Sequence, residues 1–259
     1  MGFSLFRLPR RRKRKTNART GGFSVWRIFN WGVWLALVLV VADIFYLSLI
    51  WPDWTKLGSG EIPRSVFIAR YAQQRKAEPS LPPLRWKPVP FHQIPRHLRH
   101  AAVAAEDARF FEHNGIDLIA IRDALRDNID HMKFKRGGST ISQQTVKNLF
   151  LSSSRDPLRK WHELVLTLGM EVSISKRRIL EIYLNVAEFG EGVYGAAAAA
   201  QHFWGQPVWS LMPWQSAELA ACLPSPRKDN PHTRSRRFLN RAERIRGWMQ
   251  VQDYNHPNG

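Results

Sequence analysis

Two adjacent acids, Glu106 and Asp107, stand in an otherwise apolar, alanine-rich run that continues through Phe110 and His113 to Gly115. An acid pair in an apolar setting can have one pKa raised, giving a general base or acid near neutral pH, although the same string also fits an exposed helix face with a Gly C-cap. Phe110, one helical turn from Glu106, would help exclude water. Further on comes Gly137-Gly-Ser-Thr-Ile-Ser-Gln-Gln-Thr-Val-Lys-Asn148. Its glycines allow a tight turn and close approach of a ligand. Ser139 or Thr140 can cap a helix, and Thr140 with Gln143 has capping-box spacing. The N–H groups of such a helix start suit an anion such as a diphosphate. Gln143 and Lys147 then lie one turn apart, as do Gln144 and Asn148, lining amides and an ammonium behind the turn. A third group, Arg159-Lys160-Trp-His-Glu163, sets an acid one turn from two cations. That is an ordinary helical salt-bridge pattern, or a basic clamp for phosphate with an acid at hand.

The elements that must carry these residues are mostly helical. Residues 52–95 are rich in Pro and charge and read as a stalk and lead-in with one short strand at 66–68. Apolar spacing and punctuation predict helices over 97–111 and on toward Gly115, over 117–129 (Leu118, Ile121, Leu125, Ile129), from Thr140, and from Pro157 to about Ser173. Further helices follow a Ser175 cap, open at Pro213, and cover about 235–250. Strand signals are scarce, and there is no repeat. The lone Cys222 excludes an intramolecular disulfide, and its apolar run marks it as a buried thiol. No His, Cys or Asp spacing suggests a metal site.

The formal net charge is +18. Nine basic residues crowd the first 27, and no acid precedes Asp43; the other 30 basic and 21 acidic residues leave the body at +9. A basic body suits anionic partners. Residues 28–51 then carry Asp43 as their one charge, are long enough to span a bilayer, and have tryptophans at both ends. The basic tail predicts a cytoplasmic N-terminus and an extracytoplasmic body. Such a tail is a topogenic signal first, which argues against nucleic acid as partner. The length of the apolar run and the lack of a clean small-x-small cleavage site argue against a signal peptide. Asp43 either pairs with a partner helix or lies near the outer interface.

Taken in order, the segments resemble the peptidoglycan glycosyltransferase family (family 51), and within it the monofunctional, membrane-anchored members. The resemblance runs from about Pro88 to Met249. Glu106, Asp107, Phe110, His113 and Gly115 match the first motif, and 137–148 the second. Arg159, Lys160 and Glu163 match the third, and Lys176 through Asn185 the fourth. One departure is Leu223-Pro-Ser-Pro where larger members carry a Lys, so that basic contact is either missing or comes from Arg227 or Lys228.

The resemblance implies a lysozyme-like helical domain over 88–252, after a tail (1–27), a membrane helix (28–51) and a lead-in (52–87). It implies polymerisation of lipid II, with transfer of the growing chain from undecaprenyl diphosphate to the 4-hydroxyl of the next disaccharide, with inversion. Glu106 and Glu163 are the expected catalytic acids, Glu106 as base and Glu163 positioning either Lys160 or a divalent cation. The expected substrate contacts are Asp107, Phe110, His113, Ser139, Thr140, Gln143, Gln144, Lys147, Asn148, Arg159 and Lys160. No cofactor is required, although Mg²⁺ or Mn²⁺ at the diphosphate is compatible. The implied partners are lipid II, the glycan strand, the inner membrane, and cell-division or other wall-synthesis proteins. The alternative is a lytic, lysozyme-like glycosidase acting on finished peptidoglycan, which a Glu-bearing α-helical domain could also be, although the Lys- and Arg-rich second and third segments favour a diphosphate substrate.

Overall fold

The apolar run forms one helix, α1 (Val25–Leu49), in a computed structural model that describes residues 25–131, 138–154 and 156–255. At about 1.5 Å per residue it exceeds the ~30 Å of bilayer hydrocarbon. Among the described residues it is the one helix long and apolar enough to cross a membrane. It ends at Leu49, short of the expected Trp51. Residues 1–24 of the basic tail, and Gly137 at the head of the second motif, lie outside the described residues.

From Pro52 onward the chain forms a second unit. Its lead-in differs from the expected stalk, because it carries two helices, α2 (Trp54–Ser59) and α3 (Val66–Ala77). The strand expected at 66–68 is instead the first turn of α3. Ser65 caps it by accepting from the Ile68 N–H, and Ile68 and Tyr71, one turn apart, are buried. These helices pack on elements that carry the site: α2 against α7 (Pro157–Ser173) and α3 against α6 (Ile141–Phe150). The strands that do form are short: β1 (Arg85–Trp86), β2 (Glu188–Gly190) and β3 (Val193–Tyr194), in the order β1-β3-β2 with β1 parallel and β2 antiparallel to β3.

The mostly α expectation holds, with eleven α-helices among the described residues, α9 (Ala196–Trp204) following β3. One group is α4 (Arg96–Glu106), α10 (Pro213–Cys222) and α11 (Arg236–Asn255), which pack on one another. Buried alanines on α4 (Ala101, Ala102, Ala104) and α10 (Ala217, Ala220, Ala221) provide small side chains for this packing. The other group is α6 with α7 and α8 (Lys176–Val186), around Ile141, Val146, Leu166, Met170, Ile179 and Ile182, all fully buried. Each such side chain contributes roughly 1.5–3 kcal/mol by leaving water.

Two helices differ from expectation. The helix expected to run toward Gly115 stops at Glu106, and residues 107–115 form turns, because the Asp107 carboxylate is committed to groups outside the helix. In α5 (Leu118–His131) the expected apolar stripe does not face inward as a whole. Leu118 is exposed and Ile121 half-buried, Ala124 is buried, and the side chains of Leu125 and Ile129 lie outside the described set. Cys222 is buried, as expected.

Candidate active site

The end of α4 and the start of α6 are tied together by the first two motifs. Asp107, the C-cap of α4, is buried and accepts from the backbone N–H of Ile141 at 2.9 Å. It also accepts from His113 Nε2, 2.9 and 3.1 Å from its two oxygens. His113 Nδ1 accepts the Gly115 N–H at 3.1 Å, which leaves Nε2 as the protonated nitrogen. Gly115 sits at φ +92°, and a Cβ there would meet Thr167 at 2.8 Å, so this turn requires glycine. Its carbonyl accepts from Thr140 Oγ1 at 2.6 Å. Thr140 and Gln143 make the expected capping box, with bonds of 3.2 and 3.0 Å.

The Gly-Gly-Ser-Thr turn was expected to offer its N–H groups to an anion, and part of that capacity is used within the protein. The first N–H of α6 is given to Asp107 and the third to Thr140, so the anion at this helix start is the protein's own Asp107. Asp107, Phe110, Thr140 and Gln143 are buried, and the polar groups of Asp107, His113, Thr140 and Gln143 bond within the protein. They build the frame. Of the expected contacts, Ser139 and Lys160 are exposed, while Gln144, Lys147, Asn148 and Arg159 are half-buried.

Glu106 closes α4 beside this frame. Its Oε2 accepts from the Gln144 amide at 2.8 Å, and the Gln144 Oε1 accepts from the Tyr183 hydroxyl at 3.2 Å. Burial pushes the Glu106 pKa up, and Asp107 adds to the rise. The Gln144 bond, Arg241 and Lys147 pull against it. Tyr183 is buried and its pKa is raised well above the ordinary value, chiefly by burial and then by Glu106 and Asp107, so its hydroxyl stays a donor. The Tyr183–Gln144 bond thus points the amide NH₂ at Glu106.

The third motif is arranged differently. Glu163 on α7 is buried and ion-paired with Arg159 Nη1 at 2.6 Å and with Lys160 Nζ. Both cations lie in the first turn of α7, where the Asp156 cap accepts the Arg159 N–H at 2.7 Å and Pro157 fits the first turn. Arg159 keeps a buried Nε with no acceptor. Lys147 on α6 has its pKa lowered by burial and by Arg159 and Lys160, and raised by Glu163 and Glu106. It therefore feels both glutamates at once.

Three groups escaped sequence reasoning. Tyr183 shares the buried apolar face of α8 with Ile179, Ile182 and Val186, which conceals its polar role, although its place in the fourth motif was a signal. Arg241 acts on Glu106 from α11, hidden among the many arginines of that helix. Glu171 accepts from Lys176 at 2.8 Å and from Ser142 Oγ, which ties α7 to both α8 and α6. The rest of the fourth motif serves the lead-in. Asn185 bonds both the N–H and the C=O of Val89, and Glu181 accepts the Phe91 N–H at 2.8 Å. Arg227, one of two residues expected to replace the missing Lys, is paired with Glu188 at 2.8 Å and Glu191 at 3.6 Å.

Asp107, His113 and Asp117 have ligand atoms within 4.8 Å of one another. They fit a metal poorly. Asp107 and His113 are bonded as above. Asp117 accepts from Arg109 Nε at 3.0 Å, from Arg109 Nη2, and from the Ala120 N–H at 2.8 Å.

The helical frame thus carries a desolvated glutamate on α4 and a cation-paired glutamate on α7, with Lys147 acted on by both. The transglycosylase family profile matches residues 80–250, and the chain belongs to that family. It is 41% identical over 232 residues to a biosynthetic peptidoglycan transglycosylase of Nitrosomonas eutropha, covering 90% of this chain and 93% of the relative. A protein of the same name from Thiobacillus denitrificans is 41% identical over 230 residues, with 87% and 96% covered. One from Aeromonas hydrophila is 54% identical over 138 residues, with 53% and 58% covered.

Proposed function

We propose that this chain polymerises lipid II into the glycan strands of peptidoglycan, as a single-pass enzyme with its catalytic unit outside the cytoplasm. The observation that carries the reading is Lys147, which acts both on the desolvated Glu106 and on Glu163, the residue that holds Arg159 and Lys160. A sugar hydroxyl needs a base at neutral pH. Glu106, its pKa raised by burial, takes the proton from the 4-hydroxyl of the incoming disaccharide. That oxygen attacks the anomeric carbon of the growing chain from the face opposite the diphosphate, and the configuration inverts. The bond to undecaprenyl diphosphate breaks, and its growing charge falls to Lys147, Arg159 and Lys160. The unpartnered Nε of Arg159 is a donor ready for a phosphate oxygen.

Glu163 holds two of these cations and is a positioning residue. A divalent cation on the diphosphate would have to compete with Arg159 and Lys160 for Glu163, and the scheme needs no such ion. A membrane-borne donor suits the outer face of α7, where Leu158, Trp161, Leu168 and Val172 form an exposed stripe. The lytic alternative lacks a role for the cation cluster.

The test is to incubate the purified full chain in detergent separately with lipid II and with finished sacculi. Polymer that a muramidase reduces to disaccharide units is expected from lipid II, with no release from sacculi. Release from sacculi without polymer would overturn the reading.

A further inference from the structure

α7 carries more than the cation clamp. Its inner face runs from Glu163 through Thr167 to Glu171, at successive turns of the helix, and all three side chains are buried. Glu163 holds Arg159 and Lys160. Thr167 and Glu171 lie under the turn that follows Glu106. A Cβ on Gly115 would meet Thr167 Cγ2 at 2.8 Å and Glu171 Cγ at 3.0 Å, so the turn rests directly on both side chains. One helix face therefore supports the clamp at one end and the 107–115 turn at the other.

Glu171 is tied to two further elements. Its Oε1 accepts from Lys176 Nζ at 2.8 Å and from Ser142 Oγ. Ser142 follows Ile141, whose N–H holds the Asp107 carboxylate at 2.9 Å. Lys176 Nζ also lies 4.4 Å from the centroid of the Phe110 ring. That ring is fully buried, and the Phe110 N–H is bonded to the Asp107 carbonyl at 2.9 Å. The ammonium thus acts on the turn through the ring face and through its charge. Burial pushes the Asp107 pKa up, and the bonds from His113 and Ile141, with the Lys176 charge behind them, hold it down.

Lys176 is the first residue of α8, where a cation opposes the helix dipole. Its placement answers to what it touches across the chain. The Glu171 side chain is 4% exposed and that of Lys176 19%. A desolvated pair of this kind is often no more stabilising than apolar residues of the same size. Stability alone is a poor reason for it. What the pair does is join α6, α7, α8 and the 107–115 turn at one point.

We propose that Glu171 and Lys176 are positioning residues that fix the base Glu106 against the cation clamp of α7, by holding the 107–115 turn on that helix. This rests on the reading of Glu106 as base and of Arg159 and Lys160 as clamp. Without the pair, base and clamp keep their own contacts and lose their common frame. The loss falls on the chemical step, where small misplacements are costly, and not on binding of the donor through the clamp.

The test uses E171Q/K176M in the full chain in detergent. It removes both charges at similar volume and leaves neither unpaired, so it should melt close to wild type. Its kcat on lipid II should fall at least tenfold, with KM within about twofold of wild type. Hydrogen exchange should quicken at least tenfold over 107–115 and 140–142 and stay as in wild type over 216–222. K176R, which keeps the charge and the ring contact, should hold kcat within about twofold. S142A, which removes one bond to Glu171, should lower kcat roughly three- to fivefold at unchanged KM. Wild-type kcat in the double variant, a loss carried by KM, or unchanged exchange over 107–115 would overturn the proposal. So would a double variant that does not fold beside an S142A variant with wild-type kcat. A wild-type chain that made no polymer would remove the functional reading instead, and the exchange measurement would still decide whether the pair holds the turn.

Discussion

Glu106 and Glu163 are the same side chain in opposite surroundings, and both act on Lys147. Glu163 has a cation on each oxygen, so its charge is spent on holding Arg159 and Lys160. Glu106 has one bond from a neutral amide, and its other charged neighbours act at longer range. The difference separates two tasks. A carboxylate that must accept a proton cannot be strongly paired, because pairing lowers its pKa and weakens it as a base. A carboxylate that must aim cations is useful because it is paired. Burial alone does not distinguish them.

The largest effect that sharpens this contrast is Glu106→Gln. Loss of the base should cut glycan polymerisation by about 10²–10⁴-fold, with lipid II binding largely kept. The variant also has a stability signature. The folded-state pKa of Glu106 is raised, so its protonation stabilises the fold below the ordinary carboxylate range, and that contribution is lost as pH rises through the raised value. The Gln variant should therefore melt above wild type at pH 8, and the gain should vanish toward pH 4. A thermal melt across that window, beside a lipid II assay, checks both. Near-normal synthesis would remove Glu106 as base.

Glu163→Gln should act next, through the clamp. Releasing Arg159 and Lys160 should cost about 10–100-fold in kcat/KM, mostly in KM, and lower the melting temperature because half-buried Arg159 loses its counter-charge. The acid limb of the pH–rate profile should stay close to that of wild type. If the basic limb disappeared instead, Glu163 would be a proton donor, and the division between the two glutamates would collapse.

Much of this was legible in local spacing. The Thr140–Gln143 box, the Ser175 cap, Pro157 in the first turn of α7 and the Glu163 pairs all involve residues within a turn of one another. What was not legible depends on contacts across the chain. Nothing near Thr140 reveals that Asp107, thirty-four residues earlier, takes the first N–H of α6. The helices of the lead-in were masked by its Pro content, although Ser65 with Ile68 and Tyr71 was a start signal. Tyr183 was hidden by periodicity, since one residue can serve a buried stripe and still aim its hydroxyl at a site.

Tyr183→Phe is the smallest of these effects and tests how far the weak coordination of Glu106 is itself arranged. The hydroxyl donates to Gln144 Oε1 and so turns the amide NH₂ toward Glu106. Without it, the amide loses its reason to prefer that orientation, and a flipped Gln144 would present its oxygen to the carboxylate. Losing a donor that stabilises the charged form raises the Glu106 pKa further. The acid limb should therefore move to higher pH, with polymerisation at pH 7 down by roughly 3–10-fold and recovering as pH rises. The unmet acceptor should cost about 1 kcal/mol in a thermal or denaturant melt. A variant that lost this stability but kept the wild-type acid limb would make Tyr183 a packing residue only. The weakness of the Glu106 contacts would then follow from burial alone, with no part for the Gln144 relay.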